Sequence, residues 1–227
     1  MAALATQFAF LLLRLETREE AAVIFLFHVT GTVMEIFKTA MGSWVYPEPS
    51  LLRIAGVPLF TGFMYACVGS YIARAWRLFE FRFTAHPPLW AISLLACGVY
   101  VNFFTHHFVT DMRVALFMFA ALLFGRCWVH FRVWRVYRRM PLLLGFCLVA
   151  LFIWFAENMG TFSRAWIYPS QAAGWTPVST AKFGSWLLLM LISYVMVCWV
   201  NRLGRGAVLD WDRSGEQGLS QPSRPQP

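Results

Sequence analysis

Pro141-Leu-Leu-Leu-Gly-Phe-Cys-Leu-Val-Ala150-Leu-Phe-Ile-Trp-Phe-Ala156 runs without a charge until Glu157, and nearly every side chain in it is apolar. A helix rises about 1.5 Å per residue, so roughly 20 such residues cross the ~30 Å hydrocarbon core of a bilayer. Proline opens the run, where an early helical position tolerates its missing N–H. Five comparable runs complete the set, giving spans near 21–41, 58–78, 88–108, 113–132, 141–162 and 180–201. Lipid offers no hydrogen bonds, so each run must satisfy its own backbone as a helix. No alternating pattern of a membrane β-barrel is evident. The expected fold is all-α: a polytopic transmembrane bundle of six spanning helices.

Composition points the same way. Of 227 residues, 59% are hydrophobic, 18% aromatic and only 13% charged, more apolar surface than one soluble core of this length hides. The formal net charge of +8 does not indicate nucleic acid, because the basic residues lie between apolar runs and not on a soluble binding module. The five cysteines fall inside the runs, where a thiol behaves as a small hydrophobe, and no disulfide framework is implied.

Residues 1–20 read as an N-terminal interfacial segment, 21–203 as the transmembrane domain and 204–227, rich in Gly, Ser, Pro and Gln, as a flexible tail. Alternate loops divide Lys and Arg unequally. The N-terminus, the loops after the second and fourth helices and the tail hold 14, among them Arg77, Arg82, Arg135, Arg138 and Arg139; the opposite side holds Lys38, Arg53, Arg113, Arg164 and Lys182. The positive-inside rule then places both termini in the cytoplasm.

With that orientation, the unusual polar groups gather on the outer face. Glu35 and Lys38 end the first helix, Asn102, His106 and His107 end the third, Asp111 and Arg113 make the next turn, Glu157 and Asn158 end the fifth, and Lys182 starts the sixth. A motif also recurs: Glu35-x8-Trp44-x-Tyr46-Pro47 returns as Glu157-x8-Trp166-x-Tyr168-Pro169, with Thr39 and Thr161 at matching offsets. Gly69-Ser70-Tyr71 and Gly184-Ser185-Trp186 follow in similar register. Helices one–two and five–six therefore read as a parallel internal repeat. Trp44, Tyr46, Trp166 and Tyr168 also fit as plain interfacial anchors. The glutamates are harder to dismiss, because an ionisable group in a span is costly and usually paired or functional. For Glu35 the local partner along the helix is Lys38.

In the run Asn102-Phe-Phe-Thr-His106-His107-Phe-Val-Thr-Asp111-Met-Arg113, a helix would put His107 and Asp111 on one face at i, i+4. If the bundle brings them together, His106 or His107, Asp111, Glu35 and Glu157 supply enough ligands for a divalent metal such as zinc or iron. The plainer reading of the same residues is a hydrogen-bonded helix end.

Several strings carry a family resemblance: His28-Val-Thr-Gly-Thr-Val-Met-Glu35-Ile-Phe-Lys38, Gly42-Ser-Trp-Val-Tyr-Pro-Glu48, Val57-Pro-Leu-Phe-Thr-Gly-Phe-Met-Tyr65, Asn102-Phe-Phe-Thr-His-His107, Ala156-Glu-Asn-Met-Gly-Thr161 and Trp166-Ile-Tyr-Pro169. In these the chain resembles domain-of-unknown-function family 817, from about Leu15 to Leu203. The resemblance implies a bacterial, multi-pass protein of the cytoplasmic (inner) membrane and supplies no reaction. It also implies a start shorter than that of family members, which carry more hydrophobic sequence before this region.

Two functional classes follow, with a purely structural partner subunit as a third alternative. In the first, an intramembrane enzyme acts on a lipid or isoprenoid-type substrate, with Glu35, Glu157, His106, His107 and Asp111 as catalytic candidates. Lys38, Trp44, Tyr46, Asn102, Arg113, Asn158, Trp166, Tyr168 and Lys182 would line its substrate site. In the second, a transporter of ions, protons or small solutes uses the same carboxylates. The expected partners are the lipid bilayer and a hydrophobic small molecule.

Overall fold

The computed structural model describes residues 17–205, together with positions 9, 12 and 13. The expected N-terminal interfacial segment and flexible tail therefore lie largely outside the described residues. Six α-helices appear among them: α1 (Arg18–Ala40), α2 (Phe60–Leu78), α3 (Leu89–Thr105), α4 (Arg113–Phe124), α5 (Leu142–Phe162) and α6 (Ala181–Arg205). Three segments, Glu20–Ala40, Leu142–Phe162 and Ala181–Asn201, are long and apolar enough to cross a membrane.

Local chemistry sets the start of α1. Thr17 is its N-cap, accepting from the Glu20 N–H at 3.2 Å, while the Glu20 carboxylate accepts from the Thr17 N–H at 2.8 Å. This reciprocal pair satisfies two of the helix's orphan donors. Glu20 also meets Arg77 at 3.1 Å, tying the start of α1 to the end of α2.

The two helices run antiparallel and close together. A side chain at Gly31 would come within 2.5 Å of the Tyr65 ring, and one at Gly69 within 2.7 Å of Phe27. Helix α6 packs against α1, α2, α3 and α5. Its buried face (Leu188, Leu191, Val195, Cys198) joins Val23, Phe27, Ile92, Leu95, Phe124 and Phe146 in one continuous core.

Three expectations need correction. First, the chain is mostly helical but not all-α. At the bundle end where α2 finishes and α3 begins, β3 (Arg82–Thr84), β4 (Trp128–Val133) and β5 (Val136–Pro141) form an antiparallel sheet in the order β3-β4-β5. A two-residue ladder, β1 (Arg53–Ile54) with β2 (Val57–Pro58), lies near the opposite end. Second, the run 113–132 is not one helix. Helix α4 stops at Phe124 after 12 residues, about 18 Å of rise. Beyond it, Val129, Phe131 and Val133 alternate with polar neighbours and pair with β5. Third, α3 ends at Thr105, so His107 and Asp111 do not share a helical face.

The α1–α2 contact generates a stability prediction. Gly69→Leu should destabilise the protein by about 1–3 kcal/mol through overpacking against Phe27. The readout is a lower thermal unfolding midpoint in detergent, and an unchanged midpoint would contradict the close packing.

Candidate functional site

Helices α1 and α5 end in the same way. After α1, the N–H groups of Gly42 and Ser43 turn back to the carbonyls of Thr39 and Lys38; after α5, those of Arg164 and Ala165 turn back to Thr161 and Gly160. This is the Schellman pattern, which needs a left-handed residue at the first position beyond the cap. Gly42 (φ 67°) meets that need without strain, and Arg164 (φ 62°) adopts the same conformation despite its side chain.

The turned-back segments carry the aromatic residues of the motif onto the helix they have just left. Glu35, 3% exposed, accepts on Oε2 from the Trp44 indole at 2.8 Å and from the Tyr46 hydroxyl. Its Oε1 accepts from the Tyr65 hydroxyl of α2 at 2.8 Å. Glu157, 2% exposed, accepts on Oε1 from the Tyr168 hydroxyl and on Oε2 from the Trp186 indole of α6. Trp166 does not duplicate Trp44: its ring lies over Gly160, where a side chain would collide with it. Tyr65 and Trp186 were not among the expected site residues, although both lie in quoted strings at the start of the following helix. Donors of this kind are predictable in principle, because a buried carboxylate needs several hydrogen bonds.

The two units touch. Val45 and Ile167, at equivalent places in the two motifs, exchange backbone hydrogen bonds of 3.0 and 2.9 Å in an isolated antiparallel bridge. Trp44 of the first unit meets Tyr168 of the second edge-on, with ring centroids 6.0 Å apart. Lys182 lies over both rings, its Nζ 5.1 Å from the Trp44 centroid and 4.4 Å from that of Tyr168. Phe60 stands at the corresponding place against Tyr46. The units are thus alike in their carboxylates and unlike in charge.

Lys38, 6% exposed, does not pair with Glu35 as the helical spacing suggested. Its Nζ lies 3.3 Å from His106 Nε2, 2.8 Å from His107 Nε2 and 4.5 Å from the centre of the Phe103 ring. His106 Nδ1 lies 2.9 Å from the Asn102 carbonyl, which can only accept, so that nitrogen carries the proton. Nε2 of a neutral His106 ring then offers a lone pair, as an ammonium donor requires.

Asn102, Asp111 and Arg113 form a compact turn beside this cluster. Asn102 accepts from the Met112 N–H and donates to Asp111, and Asp111 pairs with Arg113 at 2.9 Å. Burial opposes ionisation of Asp111, but the hydrogen bonds from Asn102 and the Arg113 backbone, with the Arg113 charge, outweigh it and hold its carboxyl below the usual range. Asn158 performs a similar structural task, donating to the Trp154 carbonyl and accepting from the Val178 N–H. Among the described residues, no three His, Cys, Asp or Glu side chains converge as metal ligands.

The fold resembles that of a mycobacterial Insig homolog, MvINS from Mycobacterium vanbaalenii, at a TM-score of 0.59 and 11% identity, covering 80% of this chain and 93% of that one. A cross-linked MvINS trimer matches with the same score and identity over 86% and 98%. That likeness is one of fold; the three long apolar helices make this the architecture of a helical membrane protein. The family described as "Protein of unknown function (DUF817)" matches residues 1–194, and the chain belongs to it. A relative, "Uncharacterized protein YoaT" of Bacillus subtilis (strain 168), is 47% identical over 183 residues, 81% of this chain and 69% of its own length.

The tyrosine cages carry a pH signature. Burial, then the neighbouring glutamate charge, pushes the Tyr46 and Tyr168 phenols well above their ordinary value. Their folded-state contribution is therefore fully present below the unfolded tyrosine pKa of about 10 and is lost as the pH climbs beyond it, because only the unfolded phenol ionises readily. Unfolding midpoints should be insensitive to these groups below that pH and fall above it, with a shallower fall in Tyr46→Phe and Tyr168→Phe. Each substitution should itself cost about 1–3 kcal/mol by removing a donor from a buried carboxylate. Variants with unaltered stability and an unaltered alkaline slope would show that the phenols do not hold the glutamates.

Proposed function

We propose that this protein is a six-helix bundle of the bacterial inner membrane, both termini cytoplasmic, which binds an amphiphile of lipid or isoprenoid type by its acidic head at the outer face. In this reading helices α1–α2 and α5–α6 are a parallel repeat, and the short α4 crosses together with the residues that flank it. The observation that carries the proposal is the state of Lys38. This lysine is buried beside Phe103, oriented by two imidazoles, and, among the described residues, outside every ion pair. Glu35 and Glu157 already accept on both oxygens from aromatic donors.

Lys182 and Arg113 lie close enough to Lys38 to repel its charge, against attraction from Asp111, while Glu157 and Glu35 attract Lys182. An acidic head relieves that repulsion and adds charge-assisted hydrogen bonds, while its tail lies in lipid. Glu35 and Glu157 then act as positioning residues for Trp44 and Tyr168, the rings on which Lys182 rests. Their hydrogen bonds favour this role over free acid–base catalysis. No metal enters the proposal, because the imidazole Nε2 atoms face Lys38.

The test is binding of dodecyl phosphate to the purified full chain, followed by its thermal unfolding midpoint, with dodecyl maltoside as the neutral-headed control. The acidic amphiphile should raise the midpoint and the neutral one should not. Lys38→Met and Lys182→Met should each weaken binding by about 10-fold or more, the scale of a hydrogen bond between charged groups. Equal stabilisation by both detergents, or wild-type binding in both variants, overturns the reading. Topology is separately testable. Reporter fusions after Arg77, Arg139 and Arg205 should report cytoplasm, and those after Ser50 and Ser170 the other side; a reversal between neighbours would remove a helix from the scheme.

A further inference from the structure

The bundle end opposite the glutamates carries a β-hairpin built unlike an ordinary turn. Strand β4 ends at Val133 and β5 begins at Val136, leaving Trp134 and Arg135 as the two-residue connection. Such turns require left-handed backbone and normally take Asn or Gly. Here Trp134 holds φ 57° with 85% of its surface exposed. A bulky side chain is an unfavourable choice at such a φ, and an exposed indole gains nothing from the protein core. An exposed indole in this conformation points to something outside the chain.

Charge indicates what that is. Arg135 lies 5.4 Å from the Trp134 ring centre and Arg139 5.3 Å from that of Trp128, and Arg138 on β5 is exposed as well. Glu80, the acid at this end of the sheet, is already taken by Arg132 and the Tyr137 hydroxyl. The hairpin also starts where apolar helices stop: β4 follows α4 after three residues, and α5 begins directly after β5. Six-residue strands span about 20 Å, so the tip cannot stray far from the bilayer surface.

We propose that the β4–β5 hairpin docks on anionic phospholipid headgroups, with Trp134, Val133 and Val136 seated at the interface and Arg135, Arg138 and Arg139 on lipid phosphates. Indole rings favour the headgroup region, and arginine binds phosphate through two parallel N–H donors. A soluble acidic protein would match the charge alone. The lipid surface matches the charge, the apolar tip and the position of the hairpin together.

The full chain, reconstituted in bilayer discs of phosphatidylcholine with or without phosphatidylglycerol, tests this. The Trp134 signal is the fluorescence difference between wild type and Trp134→Phe, and acrylamide reports its exposure to water. The expected result is that phosphatidylglycerol shields Trp134 several-fold and that Arg135→Gln/Arg138→Gln/Arg139→Gln abolishes the shielding. High salt should weaken it as well. These side chains are exposed, and unchanged circular dichroism checks that the triple variant folds. Equal quenching in both kinds of disc, or shielding that survives the triple substitution, would overturn the proposal. So would a Trp134 that becomes shielded only when a soluble protein is added.

Discussion

A carboxylate placed near the end of an apolar helix must find hydrogen-bond donors, and at Glu35 and Glu157 the chain supplies them from the residues that follow. Water is the usual source, but both groups are buried. An unsatisfied acid there would cost several kcal/mol. Trp44 and Tyr46 in one unit and Tyr168 in the other meet the need only if the chain reverses sharply after the helix. The Schellman turns, the left-handed Gly42 and Arg164 and the packing of each connecting segment over its helix end all serve that reversal.

Once both segments are folded back, their backbones meet at Val45 and Ile167, and what differs between them acquires meaning. The third donor to Glu35 is a phenol from α2, whereas the indole on Glu157 comes from α6. Phe60 packs on Tyr46 where Lys182 packs on Tyr168. Two chemically equal units would make a symmetrical and purely structural joint. Replacing an apolar contact by an ammonium on one side gives the joint a polarity that two equal units would lack.

Much of this was legible in the sequence, for identifiable reasons. Helices α1, α5 and α6 follow from apolar length alone, and the recurrence of Glu, Trp, Tyr and Pro at fixed spacing marked both carboxylates. The hairpin was hidden because Val129, Phe131 and Val133 extend the apolar run of α4, and hydropathy cannot separate a strand that continues a helix's composition. The pairing of Lys38 was missed for a different reason. Spacing along α1 suggested Glu35, but the aromatic donors arrive from segments distant in space until the chain folds, and they occupy that carboxylate first. Trp166 likewise looked equivalent to Trp44 in sequence, yet Gly160 lets its ring settle on α5, and Trp186 takes the hydrogen bond to Glu157.

The identity of the groups around Lys38 bears on what that lysine is for. A carboxylate at 2.8 Å would orient the ammonium and also cancel its charge, leaving a closed ion pair of the kind Asp111 makes with Arg113. Imidazole orients without cancelling. A His106 ring held by the Asn102 carbonyl presents a lone pair and, while neutral, no charge, and the face of Phe103 adds attraction of the same undemanding kind. Among the described residues no acid cancels a charge on this ammonium, and in a buried place such a charge reaches farther than it does in water. A lysine needed only for structure would be better served by an acid, and a buried lysine oriented by imidazoles without one is suited, in the proposed reading, to an anion that arrives from outside the chain.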